Sequence, residues 1–250
     1  MSAPIDLDPH QFSRCVDLSG AAYPHNVRIG AEQGTRYEVD HAEIASYGVE
    51  LIGNWHHDDT DTEFYAGYDR ARAIQIVFRG TTTLRDWKSN LRHSLVPWNA
   101  GIDRSIDLRA GRVHAGHYAC CRAVAPLIQN ILSAYADDMT VRVDGHSLGG
   151  SEATIVAIAI ACRYPDRNVI LSTIGAPRSG DAQMVAFAAS LPNLVIRRYY
   201  HALLDTVVLL PPWLQGYRHL PGMPIWAIGG HLVSSYEESR DNLMRALNTP

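Results

Sequence analysis

Gly145-His146-Ser147-Leu148-Gly149-Gly150 is the stretch that decides the fold. It follows the β-rich run Val141-Arg142-Val143 and precedes the small, apolar stretch from Ser151 to Cys162, so it reads as a sharp reversal from a strand into a helix. Such a turn imposes strained backbone angles on its apex, and glycines two residues before and after the apex remove the side chains that would collide. The serine hydroxyl is then presented clear of the sheet, above a helix N-terminus whose free N–H groups favour negative charge. Ser147 is therefore the expected nucleophile; the competing reading is a glycine-rich turn that merely packs a helix on a strand.

Working outward, Ala73 to Phe78, Val169 to Ile174 and Leu194 to Tyr200 are short apolar runs of the buried-strand type. Gly116 to Tyr135 has helical spacing, with Ala, Leu and Ile turned inward. Strands alternate with helices, which predicts an α/β fold with a mostly parallel central sheet flanked by helices. Ala42 to Leu51 and Thr62 to Tyr68 read as two further strands, joined by the polar turn His56 to Asp61. With 250 residues and no repeat, linker or low-complexity tract, one domain over 1–250 is expected.

A net charge of −4 and scattered arginines provide no basic face, which argues against nucleic acid as a partner. The run Ala153 to Cys162 is too short to cross a bilayer, and no transmembrane segment is expected. Cys15, Cys120, Cys121 and Cys162 form no framework and read as reduced thiols. The start Met1 to Asp8 lacks the basic and apolar regions of a secretory signal, so the reading is a cytoplasmic address, although a leaderless export route or a chain trimmed of its leader would have the same start.

A serine hydroxyl attacks well only when a base takes its proton, and that base needs a carboxylate to hold its tautomer and its charged form. Hydrolases with this elbow present serine, acid and histidine in that order, so only later residues qualify. Asp205 lies just past the strand Leu194 to Tyr200 among apolar neighbours and is the first choice. Asp181 is its rival, but more naturally caps a helix starting at Ala182. Of the histidines His201, His219 and His231, the last is preferred because Gly229-Gly230 lets a loop bring it over the sheet edge. The oxyanion needs preset donors: the N–H of Leu148, and a second from Gly80-Thr81 at the end of the neighbouring strand.

Five blocks in this order resemble the class 3, fungal-type lipases of the α/β-hydrolase superfamily. They are Val77 to Thr81 with Asp86-Trp87, Val113 to Gly116, Gly145 to Gly150, Thr173 to Gly180, and the tail from Asp205 through Leu210-Pro211-Pro212 and Gly216 to His219, to His231. The resemblance implies an α/β-hydrolase fold, with Ser147 as nucleophile, Asp205 as acid, His231 as base, and Thr81 and Leu148 as oxyanion donors. It also implies a lid just after the oxyanion segment, where Leu84 to Asn99 carries Trp87, Leu91, Leu95, Val96 and Trp98. Trp213, Leu214, Ile225 and Trp226 are expected to line an acyl pocket.

His56 to Glu63 groups imidazoles and carboxylates, but residues along an extended chain alternate faces. A solvated hairpin turn is the reading, with no metal and no cofactor expected. The resulting expectation is a serine carboxylester hydrolase, a lipase or esterase cleaving acylglycerol esters, whose partners are an ester or lipid substrate and, transiently, a lipid–water interface. The alternatives are a phospholipase or other polar-lipid acyl hydrolase, and a lipase-like binding module without turnover.

Overall fold

Alternation along one short strand establishes the layering. In β3 (Ala73–Phe78), Ile74, Ile76 and Phe78 enter one core cluster while Val77 enters another, so this strand is covered on both faces. The computed structural model describes residues 8–23, 38–80, 94–99, 110–225 and 230–248. Among them, β1 (Val49–His57), β2 (Thr62–Asp69), β3, β6 (Thr140–His146), β7 (Val169–Ile174), β9 (Leu194–His201) and β11 (Met223–Ile225) form one sheet in the order β1-β2-β3-β6-β7-β9-β11. The pairs β1–β2 and β2–β3 are antiparallel, and from β3 to β11 every pairing is parallel. This is the mostly parallel sheet expected from the sequence.

One face carries α3 (Ala115–Ser133), α4 (Leu148–Arg163) and α5 (Ala182–Ser190), whose apolar residues join Ile74, Ile76, Val141, Val143 and Leu171 in the larger core. Helix α4 is buried at every position from Gly149 to Ala161. A helix apolar all round can be stable only when enclosed on all sides, and its alanines let it lie close to the strands. The opposite face carries α1 (Pro9–Ala21), α2 (His41–Ser46) and the last helix, α6 (Val233–Asn248). There Phe12, Cys15 and Val16 of α1 pack with Ile174, Tyr199 and Tyr236. A smaller antiparallel sheet joins Tyr217–Arg218 (β10), Gly180–Asp181 (β8), Arg112–His114 (β5) and Leu95–Pro97 (β4), in that order.

Two expectations are corrected. Ala42 to Leu51 is not one strand: Asp40 caps α2 by accepting from the N–H groups of Ala42 at 2.8 Å and Glu43 at 3.0 Å, and Gly48 at φ 76° turns the chain before β1 starts. A side-chain cap supplies orphan amide donors with an acceptor, which outweighs the weak strand pattern. The described end of the expected lid is no lid either, because Leu95 to Pro97 is β4, paired with β5, and Trp98 is buried in the core. Residues 84–93 of that stretch lie outside the described residues.

Candidate active site

Strand β6 runs parallel to β3 with Gly145 level with Phe78, and the chain reverses at Ser147, whose backbone is held at φ 57° and ψ −128°. A non-glycine residue with positive φ costs free energy that the surroundings must offset, and such strain gathers at functional positions. The surroundings here are unusually close. A Cβ placed on Gly145 would lie 2.5 Å from the carbonyl carbon of Gly149, and one on Gly149 would lie 2.5 Å from the Phe78 carbonyl oxygen. Only hydrogen at both positions allows α4 to start this near the ends of β3 and β6.

The structure brings together three of the expected residues from the ends of different elements. Ser147 Oγ donates to His231 Nε2 at 2.7 Å, and His231 Nδ1 donates to Asp205 Oδ1 at 2.8 Å. Asp205 is 4% exposed, in the loop after β9, and also accepts from the Val207 N–H at 3.1 Å and the Tyr236 hydroxyl at 2.7 Å. Burial alone would raise the Asp205 carboxyl, but the hydrogen bond and charge of His231, with the Tyr236 hydroxyl, hold it below the ordinary carboxylate value. Tyr236 itself is pushed well above the usual phenol value by burial and by Asp205, so it remains a donor.

Leu148 is the first residue of α4, and its N–H is one of the first-turn donors without a carbonyl four residues back. Thr81 lies outside the described residues, but its neighbour Gly80 abuts the elbow. A Cβ there would stand 2.6 Å from the His146 carbonyl oxygen and 3.0 Å from Ser147 Cβ.

The rivals fall into structural roles. Asp181 caps α5, accepting from the Met184 N–H at 3.0 Å, and pairs with Arg112 Nε at 3.0 Å. His219 donates from Nε2 to the Val208 carbonyl, and burial with the nearby Arg198 and Arg178 pushes it down to about 3. His201 donates from Nδ1 to the Gly230 carbonyl at 2.9 Å, steadying the residue before His231, and its ring stacks on Tyr236 with centroids 3.9 Å apart.

Sequence reasoning missed His146, Tyr23 and Tyr236. The His231 carbonyl can only accept, so His146 Nε2, 2.7 Å away, carries the hydrogen, and Nδ1 accepts from the Tyr23 hydroxyl at 2.7 Å. Burial and the nearby His231 push His146 down to about 3, which keeps it neutral and the tautomer fixed. His146 adjoins Ser147 in the chain, so this bond ties the backbone of the histidine loop to the elbow. No local signal marks Tyr23 or Tyr236 because both act across large sequence separations.

The residues expected to line an acyl pocket differ sharply in burial. Ile225 is buried with Phe12, Tyr199 and Tyr236, while Trp213 and Leu214 are 59% and 79% exposed, and Trp226 lies outside the described residues. The His56 to Glu63 side chains also depart from expectation, because ligand atoms of His56, Asp61 and Glu63 lie within 4.8 Å of one another. In β1–β2, His56 stands directly opposite Glu63 and so shares its face, and Asp61 adopts a left-handed φ of 51°. Cross-strand register, not sequence alternation, decides which side chains meet.

A parallel sheet whose central strand turns through a strained serine into a buried helix, with an imidazole and a carboxylate supplied by later strand ends, is the α/β-hydrolase fold. Within that class, the model of the family described as lipase (class 3) matches residues 75–214, more than half of the chain. The chain belongs to the class 3 lipase family. The lipase of Rhizopus oryzae is 27% identical over 184 residues, covering 69% of this chain and 44% of the relative. The secreted mono- and diacylglycerol lipase 1 of Fusarium solani is 33% identical over 180 residues, covering 70% and 50%. The Rhizomucor miehei lipase in its propeptide complex superposes with a TM-score of 0.69 at 26% identity, over 87% of this chain and 68% of that one.

The chain spans about half the length of the curated relatives it matches. The name of the Fusarium relative describes it as secreted, which leaves the expected cytoplasmic address without support from that side. No described helix is long and apolar enough to cross a membrane.

Proposed function

We propose that this chain is a carboxylic ester hydrolase that cleaves acylglycerol esters through Ser147, His231 and Asp205. The observation that carries the reading is the unbroken hydrogen-bonded line from Ser147 Oγ through His231 to Asp205, at 2.7 and 2.8 Å. Ser147 Oγ attacks the ester carbonyl as His231 Nε2 takes its proton, and Asp205 stabilises the imidazolium that forms. The oxyanion is received by the Leu148 N–H and by Thr81, the residue after the tightly packed Gly80. Collapse expels the alcohol, which takes the proton from His231 and leaves an acyl-serine. Water then attacks, again with His231 as base, and the acid departs.

The choice of a lipid ester rests on family membership and on the exposed apolar side chains of the segments that carry the acid and the base. Leu203, Leu204, Leu209, Trp213, Leu214 and Leu232 are each more than half exposed, and all lie within nine residues of Asp205 or next to His231. Apolar side chains held out in water favour transient contact with a lipid–water interface.

Turnover of triolein, short p-nitrophenyl esters and phosphatidylcholine is measured on the wild type and on Ser147→Ala, with a fluorophosphonate probe reporting the serine. Hydrolysis of the first two substrates and labelling of Ser147, both lost in the variant, are expected. Preference for phosphatidylcholine would move the assignment to a polar-lipid hydrolase, and an unlabelled, inactive wild type would make the chain a binding module.

A further inference from the structure

Away from the triad, the hairpin joining β1 to β2 gathers side chains with metal-ligand chemistry. His56 Nδ1 lies 3.2 Å from Glu63 Oε1 and 4.0 Å from Asp61 Oδ1, while His56 Nε2 lies 3.2 Å from Asp58 Oδ1. A neutral imidazole has one N–H, yet both ring nitrogens here face carboxylate oxygens. Asp58, with its side chain 96% exposed, can turn away, whereas Nδ1, Glu63 Oε1 and Asp61 Oδ1 converge on one point, where a single cation can be shared by all three. A proton on Nδ1 serves one carboxylate at a time, whereas a metal ion is shared by all three ligands.

Three features favour the metal. Nitrogen and oxygen ligands held about 2.0–2.2 Å from zinc stand roughly 3.3–3.6 Å apart around a tetrahedral ion. The Glu63 oxygen, 3.2 Å from Nδ1, is close to that separation, and Asp61, 4.0 Å from Nδ1 with its side chain 75% exposed and all three ligand atoms within 4.8 Å of one another, closes the rest by a side-chain movement of about 1–1.5 Å. Asp58 Oδ1, 3.2 Å from the far ring nitrogen, is within reach to serve as the outer carboxylate that orients a metal-bound histidine. Glu63 is held from behind, its Oε2 ion-paired with Arg79 and its side chain 9% exposed, so Oε1 is aimed at the site without being free to swing away.

We propose that His56 Nδ1, Asp61 and Glu63 bind one Zn2+ ion at this hairpin, with water completing its coordination. One imidazole and two carboxylates suit zinc, whereas calcium needs six to eight oxygens that the hairpin does not supply. The site adjoins the elbow side of the sheet, since the Arg79 N–H donates to the Glu63 carbonyl at 2.9 Å and Arg79 immediately precedes Gly80. Its ligands are nevertheless separate from the triad.

Zn2+, Ca2+ and Mg2+ are titrated into tag-free protein at neutral pH by isothermal calorimetry, with the thermal midpoint as a second readout. One equivalent of Zn2+ is expected to bind and raise the midpoint, with affinity falling about tenfold or more in His56→Ala and in Asp61→Asn, and Asp58→Asn weakening it less. His56 and Asp61 are solvent-facing, so these variants keep the wild-type circular dichroism. No Zn2+ binding would overturn the proposal. So would Zn2+ binding that persists in both ligand variants, which would place the ion elsewhere, for example at His231, or a preference for Ca2+.

Discussion

Replacing Asp205 by Asn is the sharpest probe of how this site works, because it removes a charge while nearly preserving shape. The carboxylate accepts three hydrogen bonds, from His231 Nδ1 at 2.8 Å, Val207 N–H at 3.1 Å and the Tyr236 hydroxyl at 2.7 Å. An amide cannot reproduce this set. With its oxygen toward His231 and Val207, its NH2 faces Tyr236, whose hydroxyl already accepts from the His201 N–H at 3.1 Å and is left with a proton but no acceptor. With the amide reversed, NH2 faces His231 and forces the tautomer that cannot take a proton from Ser147.

Either way the imidazolium loses its buried counter-charge. We expect turnover to fall by about 10³–10⁴, equivalent to roughly 4–5.5 kcal/mol of transition-state stabilisation. The mismatched buried donor costs about 1–3 kcal/mol of stability.

The acid limb carries its own signature. Asp205 is held below its ordinary value in the folded chain, so its contribution to stability is present above the unfolded value near 4 and is lost as pH falls through the lower folded value. The gap in melting temperature between wild type and Asp205→Asn therefore narrows in that acid window. Stopped assays on a p-nitrophenyl ester, with thermal melts from acid to neutral pH, measure both effects. Turnover within tenfold of wild type would refute the assigned role of this carboxylate.

Tyr236→Phe removes one donor to Asp205; a hydrogen bond to a charged group contributes about 1.5–3 kcal/mol, so kcat is expected to fall about tenfold or more with KM unchanged, and an unchanged kcat counts against it. Gly80→Ala would press a methyl group against the His146 carbonyl and Ser147, displacing the segment that leads to Thr81; turnover should drop by on the order of 10² or more, and retained activity would show that this segment does not serve the oxyanion. Glu152, 2% exposed on α4, is pushed up to about 8 by burial, so stability is fully present below its unfolded value near 4.5 and is lost as pH rises through 8. Denaturant titrations should therefore show Glu152→Gln gaining on the wild type by on the order of 5 kcal/mol across that range, whereas a pH-independent difference would mean that Glu152 is ionised throughout.

Much of the fold is legible in the sequence because it rests on short-range pattern. The run Ala73 to Phe78 coincides with β3, and Val169 to Ile174 with β7, since strands buried on both faces are continuous apolar runs whose limits are set by their own residues. Helix α1 and the small second sheet are not legible in this way. In α1 the buried Phe12, Cys15 and Val16 do stand at i, i+3 and i+4, but this apolar stripe covers little more than one turn before Ser19, and the strands of the small sheet have two or three residues, too few to show a period. The segment from Ala42 to Leu51 reads as a strand because the Asp40 cap acts from outside the pattern that suggests one.

The amino-acid sequence alone determined the reversal at Ser147, because the glycine spacing that permits a strained turn is a local steric requirement. Together with the order of strands and helices, it also determined the parallel sheet and the order in which serine, acid and base appear. Only the tertiary structure decided which histidine meets Ser147, which hydroxyl supports Asp205, and that His146 and Tyr23 tie the histidine loop to the elbow. It also decided that His56, Asp61 and Glu63 converge. These contacts join residues that chain proximity does not bring together, and they depend on strand register and loop path, which the packing of the whole chain sets.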